Sequence, residues 1–338
     1  MRIHVGTILA VTLLSSATAR AGVSGVAVFG DSLSDGGNVF AVSGGTLPYP
    51  SGRFTNGPVW AERLALDLGT TLQPSLLGGG DYAFGGAETG LGTALLRGVL
   101  PVPGVRQQVQ DYLTSTPSPE ANKLHVVFGG ANDFFNGQTN PAIPAANITS
   151  AVSDLANAGA KRILVVDLPN LGLTPAFRGT AYEAPMSQLS AGFNAYLSAD
   201  LQSIAGALII GGDADKLAHP NWIDNPGLTI FHFPLNQMFE DMIANPSGHG
   251  LTNVVDPVFN GTTLVGDPNT YLFWDTVHPT AVAQAALGDS AFALVAAPEP
   301  SALGLLGLGG IALLCRRHAR PRRHEASARQ RHVARSPA

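Results

Sequence analysis

The sequence predicts one α/β domain in which a parallel β-sheet is covered by helices on both faces. Short continuous apolar runs, typical of strands buried on both sides, alternate along the chain with stretches whose apolar residues recur at helical spacing. The composition, with 45% hydrophobic and 13% charged residues, excludes a disordered chain. A single cysteine in 338 residues excludes a disulfide framework and cysteine-based metal sites, so a hydrophobic core must stabilise the fold.

Four apolar runs predict the strands of the sheet, and a weaker run at 70–72 predicts a fifth. The first three runs end in polar or glycine-containing segments: Gly30-Asp31-Ser32, Gly129-Gly130-Ala131-Asn132-Asp133 and Asp167-Leu168-Pro169. Ligands bind beyond the carboxyl ends of parallel strands, so these segments are the first places to expect a site. The four predicted strands are 26–29, 124–128, 163–166 and 228–233.

Between the strands, apolar residues three to four positions apart predict amphipathic helices. Trp60, Leu64 and Leu68 show this spacing in the first of them. The stretches 43–58 and 74–105 are rich in Gly and Pro, and they are predicted to be loops that shape a site. The predicted helices are 59–68, 148–158, 188–204, 236–244 and 280–295.

Residues 1–21 are typical of a secretory signal peptide. Arg2 and His4 precede an apolar run at 5–14, and Ala19 and Ala21 supply the small residues that a signal peptidase reads. A buried first strand or helix is the alternative interpretation. The order of the three regions favours export to the periplasm, the cell surface or the medium.

Residues 298–338 form a second terminal segment of unusual composition. Pro298-Glu299-Pro300 is followed by an apolar segment at 302–315 and then by eight arginines. This order resembles the PEP-CTERM sorting signal of Gram-negative bacteria, which implies temporary retention in the inner membrane and processing by an exosortase. An ordinary tail anchor is the alternative, although a bilayer span needs about 20 apolar residues.

Residues 22–297, between these segments, are predicted to form the folded domain. They contain nine basic and 22 acidic residues, a net charge of −13, which disfavours binding to nucleic acid. His219, His232 and His249 lack the spacing of metal ligands. Asp213 and Asp215 lack the glycine and terminal glutamate of a calcium-binding loop. No metal site is predicted.

Two segments contain the groups needed for nucleophilic catalysis. Ser32 follows the first predicted strand, so its hydroxyl can lie at the ligand edge of the sheet. Asp275 precedes His278 by three residues, which allows its carboxylate to meet Nδ1 of the imidazole and stabilise the protonated ring. Taken alone, the first segment is a weak signal, because its tripeptide recurs at 288–290 in a predicted helix. The second is equally a loop ion pair or a helix N-cap.

Two further segments contain groups that can stabilise an oxyanion. Asn132, beyond the strand at 124–128, can donate its side-chain amide, and Gly86 can offer a backbone N–H. Both residue types are also common in turns.

Together these four segments resemble the GDSL or SGNH hydrolase family over most of residues 26–290. The segments lie in the family's order, at 28–38, 82–87, 130–133 and 275–278. The stretches 51–60 and 168–175 are similar to the branch that contains plant GDSL lipases and secreted bacterial esterases and phospholipases. The resemblance implies a three-layer α/β/α sandwich with a central parallel sheet, flavodoxin-like in its arrangement.

The resemblance also implies roles for individual residues. Ser32 is the implied nucleophile, His278 the base and Asp275 the acid, and an oxyanion hole is formed by Ser32, Gly86 and Asn132. No cofactor or metal is implied. Asp31 and Asp133 are interpreted as supporting residues that accept hydrogen bonds from loop backbone.

The sequence departs from the family pattern at two places outside these residues. Asp81 stands where members usually have Asn, which predicts weaker hydrogen bonding within that loop, and Phe233-Pro234 stands where an Asp is common. Arg53 could steady a loop or meet an anionic substrate group. The Gly-x-Ser-x-Gly motif is absent, which argues against a lipase of the α/β-hydrolase fold.

The implied function is hydrolysis of a small-molecule or lipid ester through an acyl-Ser32 intermediate. An acyltransferase that uses the same intermediate and a non-catalytic surface or matrix protein are the alternatives. The loops 39–58, 74–105 and 170–187 are expected to shape the acyl pocket. Their sequences leave lipid, phospholipid, acetylated polysaccharide and polyester open as substrates.

Overall fold

The computed structural model describes residues 22–45, 52–204, 208–211 and 227–296. The predictions for residues 1–21 and 298–338, and those for Asp213, Asp215 and His219, lie outside the described residues. Within the described ranges, we find no helix that combines the length and hydrophobicity needed to cross a membrane.

A five-stranded parallel sheet forms the centre of the domain, with strands in the order β1-β4-β5-β7-β6. Its strands are β1 (Val26–Phe29), β4 (Leu124–Val127), β5 (Arg162–Val166), β6 (Leu208–Gly211) and β7 (Thr229–Phe233). Two smaller pairs accompany it: antiparallel β2 (Thr93–Leu96) with β3 (Leu100–Pro103), and parallel β8 (Asn253–Pro257) with β9 (Tyr271–Phe273).

An extended segment lies along the free edge of β1. The N–H of Val28 donates to the carbonyl of Gly80 at 2.9 Å, and the N–H of Tyr82 donates to the carbonyl of Val28 at 2.7 Å. This segment follows β1 in sequence and flanks it on the side opposite β4. The arrangement around β1 is therefore that of a flavodoxin-like sheet, as the sequence predicts.

Helices flank the sheet on both faces and complete a three-layer α/β/α sandwich. One group contains α2 and α8, and the other contains α3, α5 and α6. The helices are α1 (Asn38–Val42), α2 (Trp60–Asp67), α3 (Val105–Ser115), α4 (Ala131–Phe135), α5 (Ala142–Asn157), α6 (Glu183–Ser203), α7 (Leu235–Ala244) and α8 (Ala281–Ala296). Buried aromatic rings join the layers. Trp60 stacks on Phe233 and meets Phe128 edge-on, and the ring centroids are 6.3 Å apart in each pair.

The predicted strand at 70–72 is wrong. These residues form no strand, and they lead to an isolated bridge between Pro74 and Asp81. Pro74 has no N–H, so it cannot continue a ladder of backbone hydrogen bonds.

The region 74–105, predicted to be a loop, contains the β2–β3 hairpin. Proline is uncommon within strands, so the prolines at 101 and 103 argue against a strand at this position in the sequence. Helix α5 begins six residues before the prediction because Pro144 lies in its first turn, where proline is tolerated.

Candidate active site

Ser32 lies in a tight turn directly beyond β1. The N–H groups of Ser34 and Asp35 both donate to the carbonyl of Asp31 at 3.0 Å, which closes the turn. Gly30 must lack a side chain, because a Cβ there would lie 2.8 Å from the carbonyl oxygen of Phe128. The buried amide of Gln108 clamps Gly30, accepting from its N–H at 2.8 Å and donating to its carbonyl at 2.9 Å. The backbone that carries Ser32 is thus fixed from several directions.

His278 and Asp275 lie in the loop between β9 and α8, and the loop brings them to Ser32. Nε2 of His278 is 2.8 Å from Oγ of Ser32, across 246 residues of sequence. Nδ1 of the same ring is 2.8 Å from Oδ2 of Asp275. Oδ1 of Asp275 also accepts from the backbone N–H of Val277 and of His278, which holds the carboxylate in place. The serine, imidazole and carboxylate therefore form one continuous chain of hydrogen bonds.

The environment of Asp275 keeps its carboxylate ionised. Burial by itself would raise the pKa of Asp275, but the charge of His278 and the hydrogen bonds from ring and backbone outweigh burial and lower it. An ionised carboxylate at Nδ1 favours the tautomer in which Nε2 carries the lone pair that faces Ser32.

The loop that precedes α2 holds the histidine loop in position. The hydroxyl of Thr55 donates to the carbonyl of Pro279 at 2.8 Å, and the side-chain oxygen of Asn56 accepts from the N–H of Ala281 at 2.7 Å. The ring of Phe54 lies 5.4 Å from that of His278. These contacts give a structural reason for the motif-like stretch at 51–60.

Arg53 belongs to this supporting loop. Its guanidinium donates to both carboxylate oxygens of Glu62, at 2.6 and 2.5 Å, and Glu62 also accepts from the N–H of Val59. The hydrogen bonds to Glu62 raise the pKa of Arg53. Of the two roles open to Arg53 from sequence, this geometry favours steadying the loop.

Gly86 and Asn132 both line the cleft into which Ser32 and His278 open. Gly86 has φ of 82°, a conformation that favours glycine, and a Cβ there would lie 2.8 Å from Leu96. Asn132 lies in the first turn of α4, and its side-chain amide donates to the carbonyl of Ala87 at 3.1 Å. That bond ties the amide to the loop that carries Gly86 and leaves its second hydrogen for another acceptor.

Asp31 and Asp133 are buried beside this site and accept hydrogen bonds from loops. Oδ1 of Asp31 accepts from the N–H of Leu33 at 3.0 Å, while Asp133 accepts from both the N–H and the hydroxyl of Thr89, at 2.9 and 2.7 Å. Burial is the main cause that raises the pKa of each carboxyl to about 6.

Asp35 is a supporting residue to which the sequence reasoning gave no role. It is fully buried, and its carboxylate accepts from the N–H groups of Gly37, Asn38, Val39 and Gly85. Through Gly85 it joins the turn after β1 to the loop of Gly86. The sequence offered one signal for this role: Asp35 is a carboxylate three residues after Ser32, in the segment that follows a buried strand.

The expectation that Asp81 weakens its loop is wrong. One carboxylate oxygen accepts from the N–H of Gly36 at 2.7 Å, and the other accepts from the N–H of Ala83 at 2.9 Å. The two donors meet different oxygens of Asp81, and asparagine in the same position would place its NH₂ group, which cannot accept, against one of them. Burial, reinforced by the nearby Asp35, raises the pKa of Asp81.

The cleft has a volume of about 150 Å³ and an apolar wall. All three loops predicted to shape a pocket contribute to it, through Phe54, Leu96 and Leu171. Leu235 and Phe239 of α7 also line it, which the sequence did not indicate. Among the described residues, no group of three or more metal-ligating side chains occurs.

Comparison with known proteins places the chain among GDSL-like lipases and acylhydrolases. The sequence model of the family described as "GDSL-like Lipase/Acylhydrolase" matches residues 26–291, which include the whole hydrogen-bonded chain around Ser32. A second model, of the PEP-CTERM protein-sorting motif, matches residues 296–320.

Three curated proteins illustrate the range of relatives. Esterase EstA of Pseudomonas aeruginosa is 30% identical, over 81% of this chain and 47% of its own. The thermolabile hemolysin of Vibrio parahaemolyticus is 26% identical, over 76% of this chain and 60% of its own. The phosphatidylcholine-sterol acyltransferase of Aeromonas hydrophila is 25% identical, over 82% and 92%. The chain thus spans about half the length of EstA and somewhat more of the hemolysin.

Proposed function

The chain belongs to the GDSL-like lipase/acylhydrolase family, and on that premise we propose that it is an exported carboxylic ester hydrolase that works through an acyl-Ser32 intermediate. The main support for the proposal is the hydrogen bonding of His278. Its Nε2 lies 2.8 Å from Oγ of Ser32, and its Nδ1, on the other side of the ring, lies 2.8 Å from Oδ2 of Asp275. A serine hydroxyl needs an adjacent base to become a nucleophile, and here the base is itself oriented by a third group.

In the first step, His278 accepts the proton of Ser32 as the serine oxygen attacks the ester carbonyl. Asp275 stabilises the resulting imidazolium, because its pKa is lowered and its charge lies at Nδ1. The imidazolium then gives its proton to the leaving alcohol, and the acyl group remains on Ser32. In the second step water attacks the acyl-enzyme while His278 takes its proton. The bond between the acyl carbon and the serine oxygen then breaks, His278 returns the proton to Ser32, and the carboxylic acid leaves.

The negative charge on the carbonyl oxygen is stabilised by three proposed donors: the N–H groups of Ser32 and Gly86 and the amide of Asn132. The positive φ of Gly86 and the bond from Asn132 to Ala87 support this assignment, since they preorganise both donors at the cleft. The apolar wall of the cleft suits the hydrocarbon part of an acyl group.

The PEP-CTERM match indicates export and sorting to the cell envelope, with exosortase processing implied. We further propose that residues 1–21 are removed on export and that residues 22–297 form the hydrolase domain. The apolar segment 302–315 then retains the chain at the inner membrane until the tail is cleaved. Mass spectrometry of the protein from a bacterial host with an exosortase measures both ends of the mature chain.

A serine-reactive fluorophosphonate probe tests the proposed function. Peptide mapping should locate the probe on Ser32, and hydrolysis of p-nitrophenyl esters of increasing chain length should be blocked in proportion to labelling. A protein that hydrolyses none of the esters and leaves Ser32 unlabelled contradicts the proposal and favours a binding protein. Because one relative is named an acyltransferase, the products should also be analysed with a competing alcohol present.

A further inference from the structure

Arg97 differs from the other arginines of the described residues in its contacts. It is exposed, and no ion pair, hydrogen bond or ring contact is found for it within the described ranges. The other five each have a partner: Arg53 with Glu62, Arg63 with Asp67 and Asp289, Arg106 with Asp154, Arg162 with the ring of Phe231, and Arg178 with the carbonyl of Val254.

Arg97 also occupies an unfavourable backbone conformation. Its φ is 53°, the only positive value for a non-glycine residue in the described part of the chain. Gly98 follows with φ of 74°, and the N–H of Val99 donates to the carbonyl of Leu96 at 3.2 Å. Two successive positive φ values in a hairpin are typical of a type I′ turn, where Asn, Asp and Gly are preferred. Arginine is a poor choice for the turn itself, which points to a role for its side chain.

The β2–β3 hairpin holds Arg97 at the cleft. Its inner face, which includes Leu96 and Val102, packs on Phe54 and Phe84. Leu96 lies so close to Gly86 that a Cβ on that glycine would be 2.8 Å from it. Arg97 is the next residue, and it lines the same cleft as Ser32 and His278.

We propose that Arg97 forms an anion-binding subsite at the rim of the cleft, which selects esters that carry a carboxylate or phosphate group beside the scissile bond. This inference rests on the proposed hydrolysis through Ser32 and names its substrate class. A guanidinium binds either oxyanion through two parallel hydrogen bonds. Asp31 also lines the cleft but is only 1% exposed, so a ligand makes little direct contact with its carboxyl group. The domain as a whole is acidic, so selectivity for anions would have to come from this local charge.

Two pairs of soluble esters test the subsite, each matched in acyl chain length and differing in one anionic group. Monomethyl adipate against dimethyl adipate tests a carboxylate, and dihexanoyl phosphatidic acid against dihexanoylglycerol tests a phosphate. The variant Arg97→Asn removes the charge and suits the positive φ, so it should fold at least as well as the wild type. Arg97→Lys retains the charge. Lys123→Gln is the control. It removes a positive charge at the amino end of β4, whereas the cleft lies beyond the carboxyl ends of the strands.

The ratio of kcat/KM for the anionic ester to that for the neutral ester should fall about threefold to fivefold in Arg97→Asn, as expected for an exposed ion pair. The lower kcat/KM for the anionic ester should come from a higher KM, and the difference from the wild type should shrink in 0.5 M salt. Arg97→Lys should keep only part of the ratio, because it retains the charge but not the paired hydrogen bonds, whereas Lys123→Gln should keep the whole ratio. The pair that responds identifies the anion as carboxylate or phosphate. If Arg97→Asn lowers neither ratio, or if the wild type hydrolyses p-nitrophenyl esters but none of the four, the subsite is wrong. A wild type that hydrolyses no ester at all and leaves Ser32 unlabelled contradicts the proposed function instead.

Discussion

The carboxylate of Asp35 accepts a hydrogen bond from the N–H of Gly85 at 2.9 Å, although 50 residues separate them. This contact ties the turn that carries Ser32 to the loop that carries Gly86. The same carboxylate accepts three more backbone N–H groups at the start of α1. This buried side chain therefore helps to set the relative position of nucleophile and oxyanion donor, together with Asp81, which accepts from Gly36 and Ala83.

Replacing Asp35 by Asn should disturb both stability and catalysis. The amide nitrogen cannot accept, so at least one buried N–H loses its partner, at a cost of about 1–3 kcal/mol in the free energy of unfolding. We expect a lower kcat with a smaller change in KM, because the oxyanion loop shifts relative to Ser32. Urea unfolding and steady-state kinetics measure the two effects. Asp111→Asn, at an exposed carboxylate on α3, is the control and should change neither. Wild-type values for Asp35→Asn would show that the carboxylate does not position the loop.

Replacing Asn132 by Ala should lower kcat about 10²–10³-fold with little change in KM, since an oxyanion donor acts mainly in the transition state. Asn136 ends the same short helix and bonds to Glu88. Asn136→Ala should therefore keep kcat within about twofold. Equal losses in the two variants would mean that helix α4 is merely disturbed and that Asn132 donates no special hydrogen bond.

The buried carboxyl of Asp31 should make stability depend on pH. Its pKa is raised by burial to about 6 from 3.8, so the folded state holds a proton that the unfolded state has lost between these values. The contribution of this proton to the free energy of unfolding has its full value below pH 3.8, and it is lost as the pH rises through 6. Asp31→Asn should therefore raise the free energy of unfolding at pH 8, by up to about 3 kcal/mol. The gain should be smaller at pH 5.

Asp133 provides the matched comparison for this effect. Its pKa is also raised to about 6, but both of its oxygens accept from Thr89, whereas Oδ2 of Asp31 has no partner in the described structure. Asp133→Asn should gain less than Asp31→Asn at pH 8, because it leaves a buried donor of Thr89 unpaired. Urea titrations at pH 5 and pH 8 measure both variants. A pH-independent effect of Asp31→Asn would contradict the raised pKa.

The sequence predicted the parts of the molecule that local patterns encode. Val26–Phe29 is apolar throughout and buried on both faces, and it was placed to the residue. The approach of Asp275 to His278 spans three residues, which spacing alone can suggest. The hairpin of β2 and β3 was missed because prolines interrupt its strand pattern and because its inner face packs on residues outside the hairpin, Phe54 and Phe84.

Other parts of the site depend on long-range contacts that the sequence does not encode locally. Phe239 was expected in a helix at 236–244, but its position in the cleft depends on which helix face meets β9, where its ring lies 6.1 Å from that of Phe273. The strand Leu208–Gly211 was missed, although it pairs with β7 at the edge of the sheet. Family resemblance supplied Gly86 and Asn132 as donors, and the geometry around them is compatible with that role.

The kcat of Ser32→Ala for a p-nitrophenyl ester tests the central claim most directly. The chain offers a matched control, since Ser290 ends a second Gly-Asp-Ser tripeptide within α8. Ser32→Ala should lower kcat by about 10⁶-fold while unfolding normally in urea, whereas Ser290→Ala should keep wild-type turnover. If purified Ser32→Ala hydrolyses the ester at a rate close to that of the wild type, Ser32 is not the nucleophile and the mechanism is wrong.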